Sequence, residues 1–313
     1  MRTASILFVA IAAITATPAL AQNGAGTTAA TVLTLPAAPR PLAFGGAYAA
    51  VADDQLAVFY SPARLAVAPP SAGIAYQSLP LGAGAGSLGA ALRAGPGTIG
   101  AGIQFLDYGE IDVVETDPGG GDHGIRAGGR VSGGELALGL GYAVGIGRHL
   151  QVGAVARVLR IQLAEATASG TAWDLGASLA LAAERVVVAL ALQNLGNDIG
   201  PARAAPLPRQ LRFGTAIHLG NDFGPRTTLA LDAFDRHGEL RVAAGIEAGF
   251  AAPAGLEMVG RIGYRQEGHE ETGPPFVFGA GIILKRIAVD YAYRAQGPLG
   301  VTHLFGISVH AQR

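Results

Sequence analysis

From Ala72 onward the chain alternates. Between Leu136 and Val144 one set of positions reads Leu136, Leu138, Leu140, Tyr142 and Val144, and the other Ala137, Gly139, Gly141 and Ala143. Leu211, Phe213, Thr215, Ile217 and Leu219 likewise oppose Arg212, Gly214, Ala216 and His218. Ile287, Val289, Tyr291 and Tyr293 oppose Ala288, Asp290, Ala292 and Arg294. A period of two is the signature of a strand. Such segments fall near 72–79, 86–93, 97–106, 134–144, 150–163, 170–182, 185–194, 208–219, 227–234, 240–249, 256–265, 276–284, 286–294 and 302–310. That makes about fourteen strands of the length a tilted strand needs to cross a bilayer. The bulky set suits lipid. The Gly and Ala set is too small and too poor in charge for a wet surface, and reads as the lining of a lumen. The fold class is therefore all-β, a transmembrane antiparallel β-barrel. Short connections such as Gly95-Pro96-Gly97 and Lys285-Arg286 alternate with longer ones such as Asp107 to Gly133 and Leu195 to Leu207. This is the layout of an outer-membrane barrel with both ends in the periplasm. The apolar stretch Leu175 to Leu195 reads as a hairpin, because Glu184-Arg185 interrupt it and Val186-Val187-Val188 favour strand.

One stretch breaks the pattern. Arg40 to Leu65, RPLAFGGAYAAVADDQLAVFYSPARL, places Ala43, Ala47, Ala50 and Val51 at helix-like spacing, interrupted by Gly45-Gly46. Ser61 precedes Pro62 and is driven out of the α region. A compact, partly helical segment before a run of strands reads as a hatch in the lumen. Upstream, Arg2, the apolar Ile6 to Ala16 and Ala19-Leu20-Ala21 read as a signal peptide. The expected divisions are a signal peptide over 1–21, a flexible lead-in over 22–39, the hatch over 40–70 and the barrel over 71–313.

Composition supports the membrane reading. Only 14% of the 313 residues are charged while 50% are hydrophobic, against ~25% charged in soluble domains. No interior apolar run reaches the ~18 residues of a spanning helix. A net charge of -1 with Lys285 as the sole lysine speaks against nucleic acid. Absence of cysteine removes disulfide and thiolate chemistry.

Candidate functional residues fall in two groups. In the hatch they are Gly45, Gly46, Asp53, Asp54, Phe59, Tyr60, Ser61, Pro62 and Ala63; on inward strand positions they are Arg212, His218, Asp232, Arg241, Glu247, Arg261, Arg265, Asp290 and Arg294. Asp53 and Asp54 have three possible uses: capping a helix, holding a cation, or meeting inward arginines such as Arg212, Arg241 or Arg261. Pairing within the hatch is the plainer alternative. Asp117 to His123 and His269-Glu270-Glu271 read as exposed loops without the ligand spacing of a calcium site. Gly84, Gly86 and Gly89 match a dinucleotide pattern by letters only, with no helix to follow. His218 and Asp232 face inward with no serine beside them, so no catalytic set emerges. The chain reads as a non-enzyme without cofactor or metal.

These residues also carry a resemblance. Gly45-Gly46-Ala47, Ala50-Val51-Ala52-Asp53-Asp54 and Ser61-Pro62-Ala63-Arg64-Leu65 resemble the N-terminal signature of the PorV/PorQ family of outer-membrane proteins, itself similar to the FadL-type hydrophobic transporters. Asp107-Tyr108-Gly109-Glu110-Ile111, Gln193-Asn194-Leu195-Gly196 and Asp290-Tyr291-Ala292-Tyr293 extend it. Ser61 stands where the family has asparagine and Arg64 where it has glycine, and the final residues lack a terminal aromatic. The resemblance implies a fourteen-stranded barrel in the outer membrane of a Gram-negative-type bacterium, with a hatch in its lumen. The first functional expectation is a role in type IX-type protein secretion, with secretion-system or surface-attachment proteins as partners. The alternatives are a channel for hydrophobic small molecules, with an apolar ligand, and a structural barrel that partners only outer-membrane lipid.

Overall fold

The computed structural model describes residues 28–115, 125–220, 226–236, 239–252, 255–266 and 273–311. The expected signal peptide, residues 22–27 of the lead-in, and the segments Asp117 to His123 and His269 to Glu271 lie outside the described residues.

Fourteen strands close into one antiparallel barrel in which each pairs with its sequence neighbours and the last with the first. They are β1 Ser71–Ser78, β2 Gly84–Ala94, β3 Gly97–Glu115, β4 Ile125–Ile146, β5 Leu150–Leu163, β6 Ala166–Leu181, β7 Val186–Gly196, β8 Gln210–Leu219, β9 Arg226–Arg236, β10 Glu239–Ala252, β11 Leu256–Arg265, β12 Phe276–Leu284, β13 Ile287–Ala295 and β14 Val301–His310. Every segment read from the alternation is one of these strands. The faces also fall as expected: Leu138 is 42% exposed on the outer wall, while Ala137 beside it is 1% exposed in the lumen. A closed sheet satisfies its backbone polar groups without an edge, so it can carry this bulky outer belt into lipid. No helix among the described residues is long and apolar enough to cross a membrane. The protein is built as an outer-membrane barrel, its short turns marking the periplasmic, or inner, end.

The 107–133 segment differs from expectation. Its described residues, 107–115 and 125–133, are not loop but continue β3 and β4, which have 19 and 22 residues, about twice what a bilayer requires. Its polar residues hold the ladder across the strands: Arg130 Nη1 donates to Glu110 Oε2 at 2.8 Å and Nε to Asp112 Oδ1 at 3.2 Å. Register shifts at Asp107/Glu110 and Asp112/Val114 mask the alternation there.

Residues 28–70 fill the lumen. Two short helices, α1 Pro39–Ala43 and α2 Ala57–Tyr60, are joined by turns. Phe44, Tyr48 and Val58 of this plug bury against small wall residues such as Ala189, Ala216, Ala243 and Ala292. Residues 28–36 were expected as lead-in but form a second, separate layer towards the outer end, with Val32 2% exposed. Their own sequence is too short and too small to announce burial; the wall supplies the apolar partners.

Candidate functional site in the lumen

α1 opens on Pro39, whose fixed φ suits a first helical position. It ends at Gly45 and Gly46, with φ of 68° and 93°. A Cβ on Gly45 would overlap the carbonyl of Tyr264 on β11, so glycine here serves both the turn and the close approach. Asp54 Oδ1 accepts from the Leu56 N–H at 2.8 Å, an Asx-turn ahead of α2, whose own cap position, Leu56, carries no side-chain cap. Ser61, extended at φ -154°, separates α2 from the 3-10 turn Pro62–Val67. Phe59 stands against Gly102, and Pro62 and Ala63 against Gly176, where any larger wall residue would collide.

Three ionic anchors tie this plug to the wall. In the first, Arg40 donates Nε and Nη2 to the two oxygens of Glu247, each at 2.9 Å, and Nη1 to Asp53 at 2.8 Å. Arg261 continues the chain to Glu247 at 2.6 Å and to Asp290 at 2.5 Å. In the second, fully buried Asp232 accepts from the Tyr48 and Ala49 N–H groups at 3.1 Å and from Arg212 at 2.9 Å. Arg212 also reaches the Gly46 carbonyl at 2.6 Å and stacks over Phe234. In the third, Arg157 pairs with Asp174 at 2.6 Å and donates to the Val58 carbonyl at 2.8 Å. Buried charges persist only when paired and hydrogen-bonded in this way.

Asp53 thus meets Arg40 of the plug itself, the plainer of the sequence alternatives, while Arg212 and Arg261 serve other carboxylates. Burial raises the Asp54 carboxyl to about 6, the neighbouring Asp53 adding to the effect and Arg40 opposing it. His218 lies inward beside Thr228 at 3.2 Å. Arg241, Arg265 and Arg294 occupy luminal positions nearer the outer end, where Arg241 pairs with Glu239 at 3.0 Å. No group of three or more metal-ligating side chains occurs among the described residues, and Gly84, Gly86 and Gly89 lie within β2. Sequence reading overlooked Arg40, Arg157, Asp174 and Glu135. The last three stand at inward parity on their strands, which was the available signal.

Two cavities among the described residues lie on either side of the plug and share no lining residue. The inner one, about 720 Å³, reaches the short turns and mixes charged side chains, including Arg40, Glu184, Arg185, Glu247, Glu257 and Lys285, with apolar ones such as Ile74 and Val259. The outer one, about 60 Å³, lies between residues 33–36 and the plug residues Leu42, Gly45, Phe59 and Tyr60. Beside it the wall changes character: Leu106, Leu159 and Ile161 turn inward and are buried together with Ile199 and Leu207 of the β7–β8 connection.

No family model matches the chain, and no curated protein matches it either. Solved structures do. The Ralstonia pickettii toluene transporter TbuX superposes with a TM-score of 0.57 at 15% identity, over 87% of this chain and 98% of that one. The fold is FadL-like. The Pseudomonas putida toluene transporter TodX gives 0.55 at 13% identity, over 86% and 95%. A Pseudomonas aeruginosa FadL homologue gives 0.51 at 10%, over 88% and 98%.

Proposed function

We propose that this barrel passes apolar small molecules, of the size of a monoaromatic hydrocarbon, inward from the outer face of the membrane. One observation carries the reading: large aliphatic side chains, Leu106, Leu159 and Ile161, turn into the lumen at its outer end and are buried there. A polar-solute pore has no use for them, because inward positions facing water are polar in such barrels. The similarity to toluene transporters supports the same solute class. The charged inner cavity and the anchored plug speak against a straight apolar path to the periplasm, so the solute leaves through the wall into the bilayer. The plug residues Gly45 to Ala63 act in this reading as the stopper, and the inward pairs around Glu247, Asp232 and Asp174 as its fastenings. Among the described residues nothing specific favours the secretion reading over this one.

The reading is tested by toluene entry into cells of a barrel-deficient host. Expressing the protein should speed entry several-fold while leaving glucose permeation unchanged. Equal toluene entry with and without a correctly inserted barrel would refute it.

A further inference from the structure

Residues 29–36 form a strap between the plug and the outer mouth. Its fastening is by hydrogen bonds around a single carboxylate: Gln104 Nε2 donates to the Val32 carbonyl at 3.5 Å and Gln77 Nε2 to the Pro36 carbonyl at 3.4 Å. The Ala29 N–H donates to the Pro206 carbonyl at 3.0 Å, and the Val32 N–H to Glu135 Oε2 at 2.7 Å. The other Glu135 oxygen accepts from Tyr108 at 2.6 Å. Ala30, next to this latch, is held at φ 56°, a left-handed conformation that an alanine adopts only under constraint. Val32 itself fills the apolar wall cluster around Leu106, Leu159, Ile161 and Leu207.

The cavity sizes decide what this means. An apolar hole that takes up benzene measures about 150 Å³, and the outer cavity offers about 60 Å³. The larger cavity has the volume, but charged side chains such as Arg40, Glu247 and Arg261 stand among its apolar ones. With the strap in place, the outer cavity is too small for an aromatic hydrocarbon. Withdrawing the strap takes Leu33 and Leu35 from the lining of the outer cavity and Val32 from the adjoining aliphatic cluster, so one movement enlarges the cavity and bares the aliphatic wall.

We propose that the apolar binding site of this barrel is the space now filled by the strap, so that solute and strap compete for it, with Glu135 as the latch. This rests on the transport reading above. The strap is the built-in occupant; an apolar solute replaces the Val32 side chain against Leu106, Leu159 and Ile161. The fraction of molecules with the strap displaced then sets the apparent affinity, since binding to a minor state is weakened by that state's population.

The chain has no cysteine, so a single introduced one carries a unique spin label. Thr31→Cys labels the exposed face of the strap and Glu165→Cys the β5–β6 turn as control, both in the full-length barrel in detergent micelles. Toluene should mobilise the label at 31 and leave that at 165 unchanged. Glu135→Ala should show a mobile strap without toluene and bind toluene about tenfold more tightly, measured by equilibrium dialysis against barrel-free micelles. Toluene binding with an unmoved strap label, or equal affinity in a folded Glu135→Ala barrel, overturns the competition and leaves the transport reading standing. No toluene binding by either barrel overturns the transport reading itself. Should Glu135→Ala fail to insert, the two labelled barrels with the wild-type latch decide the matter alone.

Discussion

The plug and the strap are consecutive in sequence and share one lumen, yet they are held by opposite means. The plug, residues 37–68, meets a wall of glycine and alanine and is fastened by carboxylate–arginine groups at Glu247, Asp232 and Asp174. The strap meets a wall of leucine and isoleucine and is fastened by one carboxylate, Glu135, by a backbone bond at Pro206 and by the neutral amides of Gln104 and Gln77. Small wall residues let a backbone come close and charge fix it there. Large apolar ones offer area without direction, which a solute can claim as readily as a side chain. Immobility and exchangeability are thus encoded on the two halves of one wall.

The coarsest way to break this contrast is to remove the plug. Deleting residues 40–65 should join the two cavities and raise single-channel conductance in planar bilayers; unchanged conductance in a folded deletion barrel means the segment is not the obstruction. Arg157→Ala comes next. It strands Asp174, 0% exposed, and breaking such a pair costs about 3–5 kcal/mol, readable as a lower temperature for loss of heat-modifiable migration. A loss as small as that of an exposed pair would show the anchor to be idle. Gly45→Ala, which drives a methyl into the Tyr264 carbonyl, should cost about 1–3 kcal/mol on the same assay, whereas Gly46→Ala meets open space and only the φ penalty. Without any substitution, the Val32 amide should exchange with solvent before those of Tyr48 and Ala49, because local opening follows the weakest fastening; the reverse order by hydrogen exchange would dissolve the distinction. The smallest effect belongs to Arg130→Ala on the outer hairpin. Its pairs with Glu110 and Asp112 are exposed and screened by solvent, so the same assay should show a shift far smaller than that of Arg157→Ala; an equal shift would mean the outer hairpin is as firmly anchored as the plug.

The barrel was legible because its signal is local. Leu138 and Ala137 announce their faces by alternation alone, and each strand repeats the statement. The plug was legible for a different reason, its failure to alternate around Gly45-Gly46 and Asp53-Asp54. What stayed hidden depends on partners far along the chain. Val32 gives no sign of burial until Leu106 and Leu159 are brought over it, and Asp174 gives none until Arg157 arrives from the neighbouring strand. The 107–133 hairpin was hidden by its chemistry, since glycine and charge read as loop unless Arg130 is seen lying across from Glu110. The functional expectation shifted for a related reason. The hatch motif is shared scaffold, and its letters do not distinguish secretion from solute passage; the proposal of solute passage leans instead on the aliphatic outer wall.

The interlocking of plug and wall also constrains how the molecule is assembled. A Cβ on Gly263 would collide with the backbone of Gly45, and one on Gly245 with Phe44, so the two surfaces are dovetailed rather than merely adjacent. A dovetailed piece cannot be threaded into a finished cylinder. A seam still open where Ser71 meets His310 would let the plug seat sideways against β10 and β11 before the cylinder closes. Joining strands from opposite ends of the barrel is the costliest loop closure in the chain. Biogenesis has to hold the cylinder open until its contents are in place, and a chain that closes early would leave the machinery as an empty shell.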